Sequence, residues 1–149
     1  MPNIRRAAAE DAGTLHRFIE ALEGAAIDRW RFDELYFENL RSEDIVYLLA
    51  LEAGEPVGFA SLHVQRLLHH AAKIAEIQEI YVDPAYRKLG IGRALFQAAR
   101  QEAEGRGCAQ LEVCCNQVRK GSHVFYERQG MRNTHYKFTL PMWKSVKTP

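Results

Sequence analysis

The chain has 149 residues, and its 20 basic and 19 acidic side chains leave a formal net charge of only +1. A balance so near to zero argues against a nucleic-acid-binding protein and against a polybasic membrane anchor, because both carry a clear basic excess. The hydrophobic fraction of 47% is ordinary for a globular domain, and no apolar run reaches the roughly 20 residues of a membrane-spanning helix. We expect a single domain over 1–149, without a membrane or nucleic-acid partner.

Cysteine usage predicts a reducing compartment. Cys108, Cys114 and Cys115 form an odd set with two adjacent members, which is a poor disulfide framework. They also lack the Cys-x-x-Cys spacing of a zinc site. Because the amino terminus has no apolar signal-peptide stretch, we expect a cytoplasmic protein whose cysteines are small residues of a buried strand.

A short strand is predicted at 3–8, followed by two amphipathic helices at 10–22 and 28–40. Each helix carries apolar residues at spacings of three and four, which place them on one face. Gly24 is the expected end of the first helix. The apolar faces consist of Leu15, Phe18, Ile19 and Leu22 in the first helix and of Trp30, Leu35, Tyr36 and Leu40 in the second.

Three strands are predicted next. The dense apolar run at 45–52 and the run at 57–67 flank the turn residues Gly54-Glu55-Pro56, which indicates a hairpin. The segment 76–82, Glu-Ile-Gln-Glu-Ile-Tyr-Val, predicts a further strand that ends at Asp83-Pro84.

The second half of the chain alternates helices and strands. A helix is predicted from Gly92 to about residue 104, a strand at 109–115, a short helix at 122–129 and a strand-like segment at 131–140. The order of strand, two helices, three strands, helix, strand, helix and strand indicates an α/β fold with a mixed, mostly antiparallel sheet. The apolar face of the long helix consists of Leu95, Phe96, Ala99 and Ala103.

The loop before that long helix has the composition of an anion-binding site. Arg87, Lys88 and Arg93 surround Gly90-Ile91-Gly92. Glycines let backbone amides approach a ligand without a Cβ in the way, and the free N–H groups of a helix start favour a phosphate. The dinucleotide fingerprint fails, because Leu95 occupies the position of its third glycine, and the Gly-Lys-Ser/Thr of a P-loop is absent.

Two motifs together resemble the Gcn5-related N-acetyltransferases. Arg87-x-x-Gly90-x-Gly92 looks like the acetyl-CoA signature of that superfamily, and Phe125-Tyr126-x-x-x-Gly130-Met131 resembles its Phe-Tyr-x-x-x-Gly-Phe element. The order of predicted elements is similar over nearly the whole chain. The resemblance implies the GNAT fold, acetyl-CoA as co-substrate, and transfer of an acetyl group to an amine.

A narrower resemblance is to the aminoalkylphosphonate N-acetyltransferases. It runs from about residue 39 to residue 138 and departs at 28–37 and after Leu140. It implies that the preferred acceptor is a small amine carrying a phosphonate. The segments that carry it are Asn39-Leu40-Arg41, Leu62-His63-Val64-Gln65, Leu68-His69-His70, Glu76-Ile77-Gln78-Glu79 and Thr134-His135-Tyr136-Lys137-Phe138.

The superfamily resemblance also implies how acetyl-CoA is held. The backbone N–H of Ile80 would stabilise the oxygen of the tetrahedral intermediate, and backbone groups of Tyr81 and Val82 would bind the pantetheine arm. Asn116, just past the next strand, is a further candidate contact. The pyrophosphate cradle would consist of Arg87, Lys88, Leu89, Gly90, Ile91, Gly92 and Arg93.

Acetyl transfer needs a neutral amine, and deprotonating an amine with a pKa near 10.4 costs roughly 4 to 5 kcal/mol at pH 7. Glu76 and Glu79 are the candidate bases. Their spacing of three puts them on opposite faces of a regular strand, but the superfamily carries a bulge in this strand, which re-aims side chains. By the subfamily resemblance Glu76 is the preferred base. A solvated or ion-paired glutamate is the alternative for each.

The leaving thiolate of CoA needs a proton, which a nearby phenol can donate. Tyr126 matches the tyrosine that has this role in the superfamily, and a core aromatic is the alternative. Cys114 and Cys115 are the only candidate nucleophiles, and no histidine is placed beside them by the sequence. We therefore expect direct attack by the amine, without an acyl-enzyme.

Three of the six histidines, His63, His69 and His70, cluster in sequence. By resemblance, His69 or His70 would hold a divalent metal that bridges a substrate phosphonate, although no spacing here defines a metal site. Without a metal, Arg66, His70 and His135 would form an anion pocket.

The sequence thus predicts a cytoplasmic enzyme that moves an acetyl group from acetyl-CoA to a primary amine, with a homodimer as the expected assembly. The alternative acceptors are a polyamine, an aminoglycoside or a protein amine. The alternative of another class is a catalytically silent CoA-binding sensor. It is disfavoured because Tyr126 and both strand carboxylates are retained.

Overall fold

The computed structural model describes residues 2–142. Within that range one five-stranded sheet carries helices on both faces, with short 3-10 turns before the first and third helices at Ala9–Asp11 and Pro84–Tyr86. The strands are β1 (Asn3–Arg6), β2 (Ile45–Glu52), β3 (Glu55–Leu67), β4 (Ala72–Val82) and β5 (Gln110–Val113), and the helices are α1 (Ala12–Glu23), α2 (Arg29–Leu40), α3 (Ile91–Gly105) and α4 (Lys120–Arg128).

The sheet has the order β1-β2-β3-β4-β5. The first four strands pair antiparallel, and β5 pairs parallel to β4. The predicted α/β class with a mixed, mostly antiparallel sheet is confirmed. β5 pairs only with residues 74–77 of β4, so β4 continues to Val82 without a strand on that side in the described part of the chain.

Two apolar cores lie on the two faces of the sheet. On one face, α3 buries Leu95, Phe96, Ala99 and Ala103 against β2, β3 and β4, which confirms the predicted face of that helix. On the other face, α1 buries Leu15 and Phe18 against Leu49, Phe59 and Tyr81. The apolar periodicity of each helix therefore determines which of its own sides packs against the sheet.

The predicted helix boundaries agree with the structure to within two residues. α1 ends where Gly24 adopts a φ of 68°, a conformation that favours glycine. α2 begins after Asp28, whose carboxylate accepts a hydrogen bond from the Arg31 N–H at 2.8 Å, as an N-cap does.

The predicted apolar face of α2 is partly wrong. Trp30 is 74% exposed and Leu35 is 44% exposed, whereas Tyr36 is buried. The face that contacts the sheet consists of Phe32, Tyr36 and Leu40, because a spacing of four keeps side chains on one side of a helix. Trp30 and Leu35 lie off that line and face solvent.

The strand predicted at 131–140 is wrong, since these residues form no strand in the structure. The strand predicted at 109–115 is real but shorter, and it ends at Val113. Cys114 and Cys115 follow its end, and Cys114 is exposed, so the expected burial of the cysteines in a strand is also wrong. The strand is short because its pairing with β4 ends at Val113.

No helix between residues 2 and 142 has the length and the apolar character needed to cross a membrane.

Candidate active site

Glu76 and Glu79 lie on the same face of β4. The pairing of β3 with β4 shifts between Ser61 and Leu62, so that Ser61 faces Glu79 while Leu62 faces Ile77. Gln78 is the extra residue of this bulge, and it resets the alternation of side chains. Ile77 belongs to the core under α3, so both carboxylates are directed to the α1 and α2 side of the sheet.

A buried serine holds Glu79. The Ser61 side chain is fully buried, and its hydroxyl donates a hydrogen bond to the Glu79 carboxylate. The same oxygen accepts a hydrogen bond from the Glu79 N–H at 3.0 Å. One hydroxyl therefore fixes both the backbone and the side chain of this glutamate. Ser61 is not among the site residues predicted from the sequence, although a lone hydroxyl in the apolar run 57–62 is a usable signal.

Tyr47 extends the polar row across the sheet. It lies opposite Ser61 on the neighbouring strand, and its hydroxyl accepts a hydrogen bond from the Asn39 side-chain amide at 2.8 Å. Burial raises the pKa of Tyr47, and the nearby Glu79 carboxylate raises it further while the Asn39 bond lowers it. Asn39, Tyr47, Ser61 and Glu79 thus form a row from α2 to β4 that the sequence did not reveal.

Glu76 is paired with one residue on each neighbouring strand, His63 on β3 and Glu112 on β5, and it also contacts Cys114. His63 is its partner across the β3–β4 pair, and directly opposed residues of antiparallel strands share a face. The Cys114 thiol donates a weak hydrogen bond to the Glu76 carboxylate at 3.3 Å. Burial, followed by this contact with Glu76, raises the pKa of Cys114. A thiol with a raised pKa is a poorer nucleophile at neutral pH, because the thiolate is the reactive form.

Tyr126 projects from α4 with a hydroxyl that has no hydrogen-bond partner among residues 2–142. Its ring lies edge-on to Phe125, 5.3 Å between centroids, and both pack beside the core under α3. Burial raises the pKa of Tyr126 to about 12, with a further increase from Cys115 and an opposing effect of Arg119. The phenol therefore keeps its proton at neutral pH and is free to donate it.

The loop between β5 and α4 is tied to the other side of the sheet. The Arg119 guanidinium donates to the Leu22 carbonyl at 2.9 Å, at the end of α1. The Asn116 side-chain oxygen accepts from the Val118 N–H at 3.0 Å, which shapes the turn before α4. Of the Asn116 side chain, only the NH₂ group is left to donate to a ligand.

The predicted phosphate cradle has an open helix start. α3 begins at Ile91, and Gly90 at its N-cap has a φ of 83° with no side-chain cap. The first N–H groups of a helix have no partner within it, so those of α3 remain available to an anion. Lys88, Leu89 and Arg93 are exposed around this start.

Arg87 fastens this loop to the end of β4. Its Nε donates to the Val82 carbonyl at 2.9 Å, and its guanidinium carbon lies 5.8 Å from the centroid of the Tyr81 ring. The resemblance implies that Arg87, Tyr81 and Val82 all bind acetyl-CoA. In the structure the Arg87 side chain contacts both Tyr81 and Val82. Ile80 is half-buried on the same stretch of β4, beyond the part that β5 covers.

The structure does not join the three residues predicted as an anion pocket. The Arg66 guanidinium binds the Asp44 carboxylate at 2.9 Å, and strand alternation puts Arg66 on the face opposite to Ser61 and His63. His70 lies in the β3–β4 turn, and His135 contacts Thr134 at 2.6 Å. No hydrogen bond links Arg66, His70 and His135 within residues 2–142. His63, on the same face as both glutamates, is the better placed candidate.

The residues proposed for a metal do not fit one. His69 and His70 occupy the β3–β4 turn rather than a strand, with ring centroids 4.4 Å apart. Across the described chain, no three His, Cys, Asp or Glu side chains lie together in an arrangement that holds a metal ion.

Comparison with known proteins identifies the fold and its relatives. Residues 13–131 match the model of the Acetyltransferase (GNAT) family. An aminoalkylphosphonate N-acetyltransferase of Salmonella typhimurium is 38% identical over 136 residues, which is 91% of this chain and 88% of that protein. A glucosamine 6-phosphate N-acetyltransferase of Trypanosoma brucei brucei is 34% identical over 80 residues, about half of each chain.

Solved structures show the same fold at low identity. An aminoglycoside N-acetyltransferase in complex with CoA superposes with a TM-score of 0.85 at 15% identity, covering 95% of this chain and 94% of that one. A protein of Bacillus halodurans described as a transcriptional regulator gives a TM-score of 0.87 at 19% identity, covering 95% of this chain and all of the other.

Proposed function

The chain belongs to the acetyltransferase (GNAT) family, and from that membership we propose that it acetylates the primary amine of a small aminoalkylphosphonate. Acetyl transfer from acetyl-CoA to an amine follows from the family and its named N-acetyltransferases. The choice of acceptor is supported by the 38% identity to a relative with that named activity.

Acetyl-CoA supplies the activated acetyl group, and the described residues offer it a fitting surface. The uncapped N–H groups at the start of α3 favour the pyrophosphate. Arg87, Lys88 and Arg93 add positive charge at that site. The edge of β4 from Ile80 to Val82, which β5 leaves open, offers backbone groups to the pantetheine arm and to the carbonyl oxygen at the reaction centre.

Glu76 is the proposed base. The Glu79 carboxylate is already held in one orientation by the hydrogen bond that it accepts from Ser61, which suits it to position a charged group of the substrate. Among the hydrogen bonds of residues 2–142, Glu76 accepts only the weak one from the Cys114 thiol at 3.3 Å. Glu79 then orients the incoming ammonium group, and Glu76 removes its proton directly or through water.

Tyr126 is the proposed acid for the departing thiolate. Its hydroxyl is free of protein partners in the described chain, and burial keeps its pKa at about 12. The raised pKa values of Cys114 and Cys115 favour direct attack by the amine over a cysteine acyl-enzyme. His63, across the strand pair from Glu76, is the proposed contact for the phosphonate.

The single observation that carries the proposal is the β4 bulge, which brings Glu76 and Glu79 to one face beside the open edge of that strand. The test is release of free thiol from acetyl-CoA with a panel of amines. The panel contains aminomethyl- and aminoethylphosphonate, their carboxylate counterparts, a polyamine, an aminoglycoside and a peptide amine. We expect selective turnover of the phosphonates.

Glu76→Gln should lower the rate at neutral pH, whereas the exposed Glu55→Gln on β3 serves as the matched control. An unchanged rate in Glu76→Gln would remove that residue from the mechanism. Turnover of every amine except the phosphonates would overturn the acceptor. Binding of acetyl-CoA with no turnover of any amine would favour the sensor.

A further inference from the structure

The Cys114 thiol lies at the point where β4 and β5 part. β5 ends at Val113, which pairs with Ile77, and within residues 2–142 the two strands form no pair beyond that point. Cys114 is the first residue after the strand, and it is exposed. Its Sγ donates to Oε2 of Glu76 at 3.3 Å. The thiol therefore contacts the proposed base beside the open edge of β4.

The two oxygens of the Glu76 carboxylate have different surroundings. Oε2 accepts the Cys114 S–H, whereas Oε1 accepts no hydrogen bond from residues 2–142. The last torsion of a glutamate side chain is broad, so a free carboxylate samples many orientations. A bond to one oxygen restricts this rotation and leaves the other oxygen for the amine or for a bridging water, which a general base must reach by a hydrogen bond.

The carboxylate of Glu112 increases the need for this restraint. Glu112 is the partner of Glu76 in the parallel pair of β4 and β5, and two like charges on neighbouring strands repel each other. The Glu112 carboxylate accepts a hydrogen bond from the Gln110 side-chain amide at 2.6 Å, so it is held along its own strand. His63 lies across from Glu76 on β3 but makes no hydrogen bond to it within residues 2–142. Cys114 is thus the side chain of the described chain that holds the Glu76 carboxylate.

The thiol is in the protonation state that a donor needs. Burial raises the pKa of Cys114, the hydrogen bond and the charge of Glu76 raise it further, and the Lys137 ammonium opposes them while Glu112 adds to them. A thiol with a raised pKa keeps its proton at neutral pH. The property that makes Cys114 a poor nucleophile therefore makes it a suitable hydrogen-bond donor.

We propose that Cys114 is a positioning residue, which holds Glu76 in the orientation that takes the proton of the acceptor amine. The inference rests on the proposed function, because it takes Glu76 as the base. Cys114 forms no bond with the acetyl group or with the amine, and it acts only through the carboxylate. Because the side chain is exposed, its substitution leaves the apolar cores intact.

Two substitutions separate the hydrogen bond from the packing of the side chain. Cys114→Ala removes the donor and should lower kcat about fivefold, the effect of one modest hydrogen bond, with an unchanged KM for acetyl-CoA. Cys114→Ser keeps a donor and should retain most of the native kcat. Cys108→Ala, at a half-buried cysteine after the end of α3, is the matched control and should have the native kcat. A native kcat in Cys114→Ala, or equal losses in the alanine and serine variants, would overturn the proposal.

A double-mutant cycle with Glu76→Gln identifies the residue through which Cys114 acts. Adding Cys114→Ala to the Glu76→Gln variant should reduce kcat little further, and additive losses would show that the thiol does not act through Glu76. A native rate in Glu76→Gln alone would remove the proposed base, and this role of Cys114 with it. A slow Glu76→Gln enzyme beside a fully active Cys114→Ala enzyme would leave the base in place and overturn only the positioning role.

Alkylation of the thiol tests the contact without any turnover. Iodoacetamide reacts with the thiolate, and tandem mass spectrometry locates the label on Cys114. Glu76→Gln removes the carboxylate that raises the pKa of this thiol, so Cys114 should be alkylated about threefold faster near neutral pH. The exposed Glu55→Gln should leave the rate of alkylation unchanged. An equal rate in Glu76→Gln and in the native protein would show that the two side chains are not in contact and would overturn the proposal.

Discussion

At the residue scale, the site depends on one buried hydroxyl. Ser61 has no exposed surface, and burying a hydroxyl is costly unless it is hydrogen-bonded. Its two bonds with Glu79 meet that requirement and hold the carboxylate in one orientation. Residues that touch no substrate can in this way determine where a reactive group points.

Ser61→Ala should remove both hydrogen bonds that hold Glu79 in place. We expect a fall in kcat of about tenfold with an unchanged KM for acetyl-CoA, and a loss of about 1 to 3 kcal/mol in the free energy of unfolding, because the Glu79 N–H loses its acceptor. Steady-state kinetics and urea denaturation measure the two effects.

The control is a double-mutant cycle with Glu79→Gln. If Ser61 acts through Glu79, adding Ser61→Ala to the Glu79→Gln variant should reduce kcat little further. Independent, additive losses would show that Ser61 has no positioning role.

Tyr126→Phe removes the proposed acid without changing the size of the ring. We expect kcat to fall by about 10²-fold, within the usual contribution of a general acid, with the affinity for acetyl-CoA nearly unchanged. Isothermal titration of acetyl-CoA and initial rates separate binding from turnover. Tyr136→Phe, at an 84% exposed tyrosine, should behave as the native enzyme. Weakened cofactor binding with normal turnover would contradict the assignment.

At the element scale, one bulge in β4 and one open helix start create the site. The bulge at Gln78 brings two glutamates to a single face, which a regular strand cannot do at that spacing. α3 begins at the end of the loop that leaves β4, so the anion-binding N–H groups lie beside the same strand. The parallel pairing of β5 stops at Ile77 and leaves the rest of β4 open.

The two glycines at the start of α3 have different roles, which two substitutions separate. Gly90 has a φ of 83°, so Gly90→Ala should lower the free energy of unfolding by about 1 to 2 kcal/mol. At Gly92 an added Cβ meets Phe125 at an ordinary contact distance of 3.7 Å. Gly92→Ala should therefore keep or raise stability by up to about 1 kcal/mol, since alanine favours a helix.

Gly90→Ala should in addition raise the KM for acetyl-CoA at least tenfold, because an added Cβ at this position meets no protein atom within 4 Å and so projects into the open space before the helix start. Gly92→Ala should leave the KM nearly unchanged, because its methyl group packs against Phe125 and Val82. Thermal unfolding and initial rates provide the two measurements. A Gly90→Ala enzyme with a native KM would mean that this glycine does not face the cofactor.

At the scale of the whole molecule, a single sheet separates two apolar cores, and residues that these cores support meet at the candidate active site. The core under α3 supports the phosphate loop and α4, while the core under α1 and α2 supports the polar row that ends at Glu79. Arg119 connects the two sides through the Leu22 carbonyl. Three tyrosines with raised pKa values, Tyr36, Tyr47 and Tyr126, are distributed over both cores.

Because of these tyrosines, the free energy of unfolding should decrease as the pH becomes alkaline. Burial raises each pKa above the ordinary value of 10.0, so the folded state holds these protons more tightly than the unfolded state. Their contribution to stability is complete below about pH 10 and is lost as the pH rises from there through the folded pKa values, which for Tyr126 is about 12.

We expect the Tm to fall as the pH rises from about 10 to about 12, as followed by circular dichroism. Tyr126→Phe should reduce this pH dependence of the Tm, because it removes one of the three phenols with a raised pKa. The hydroxyl has no hydrogen-bond partner in residues 2–142, so its removal breaks no other contact. The same pH dependence in the native protein and in the variant would contradict a raised pKa of Tyr126.

Local patterns were sufficient for much of the fold. The bounds of α1 and α2, the buried face of α3 and the β2–β3 hairpin follow from periodicity, caps and turn residues, which act over a few neighbouring residues. The motifs Arg87-x-x-Gly90-x-Gly92 and Phe125-Tyr126-x-x-x-Gly130 likewise indicated the family.

Contacts between distant segments were decided only by the tertiary structure. The strand register sets Ser61 against Glu79 and His63 against Glu76, and no local pattern encodes that register. Packing against the sheet places Phe32 of α2, which the pattern did not include, beside the predicted Tyr36, and it leaves Trp30 in solvent. The alternation at 134–140 is a genuine strand pattern, but a strand needs a partner edge as well as a pattern. The sequence alone therefore determines which secondary structure each segment is able to form. Its contacts with segments distant in sequence determine which structure it forms and which residues it meets.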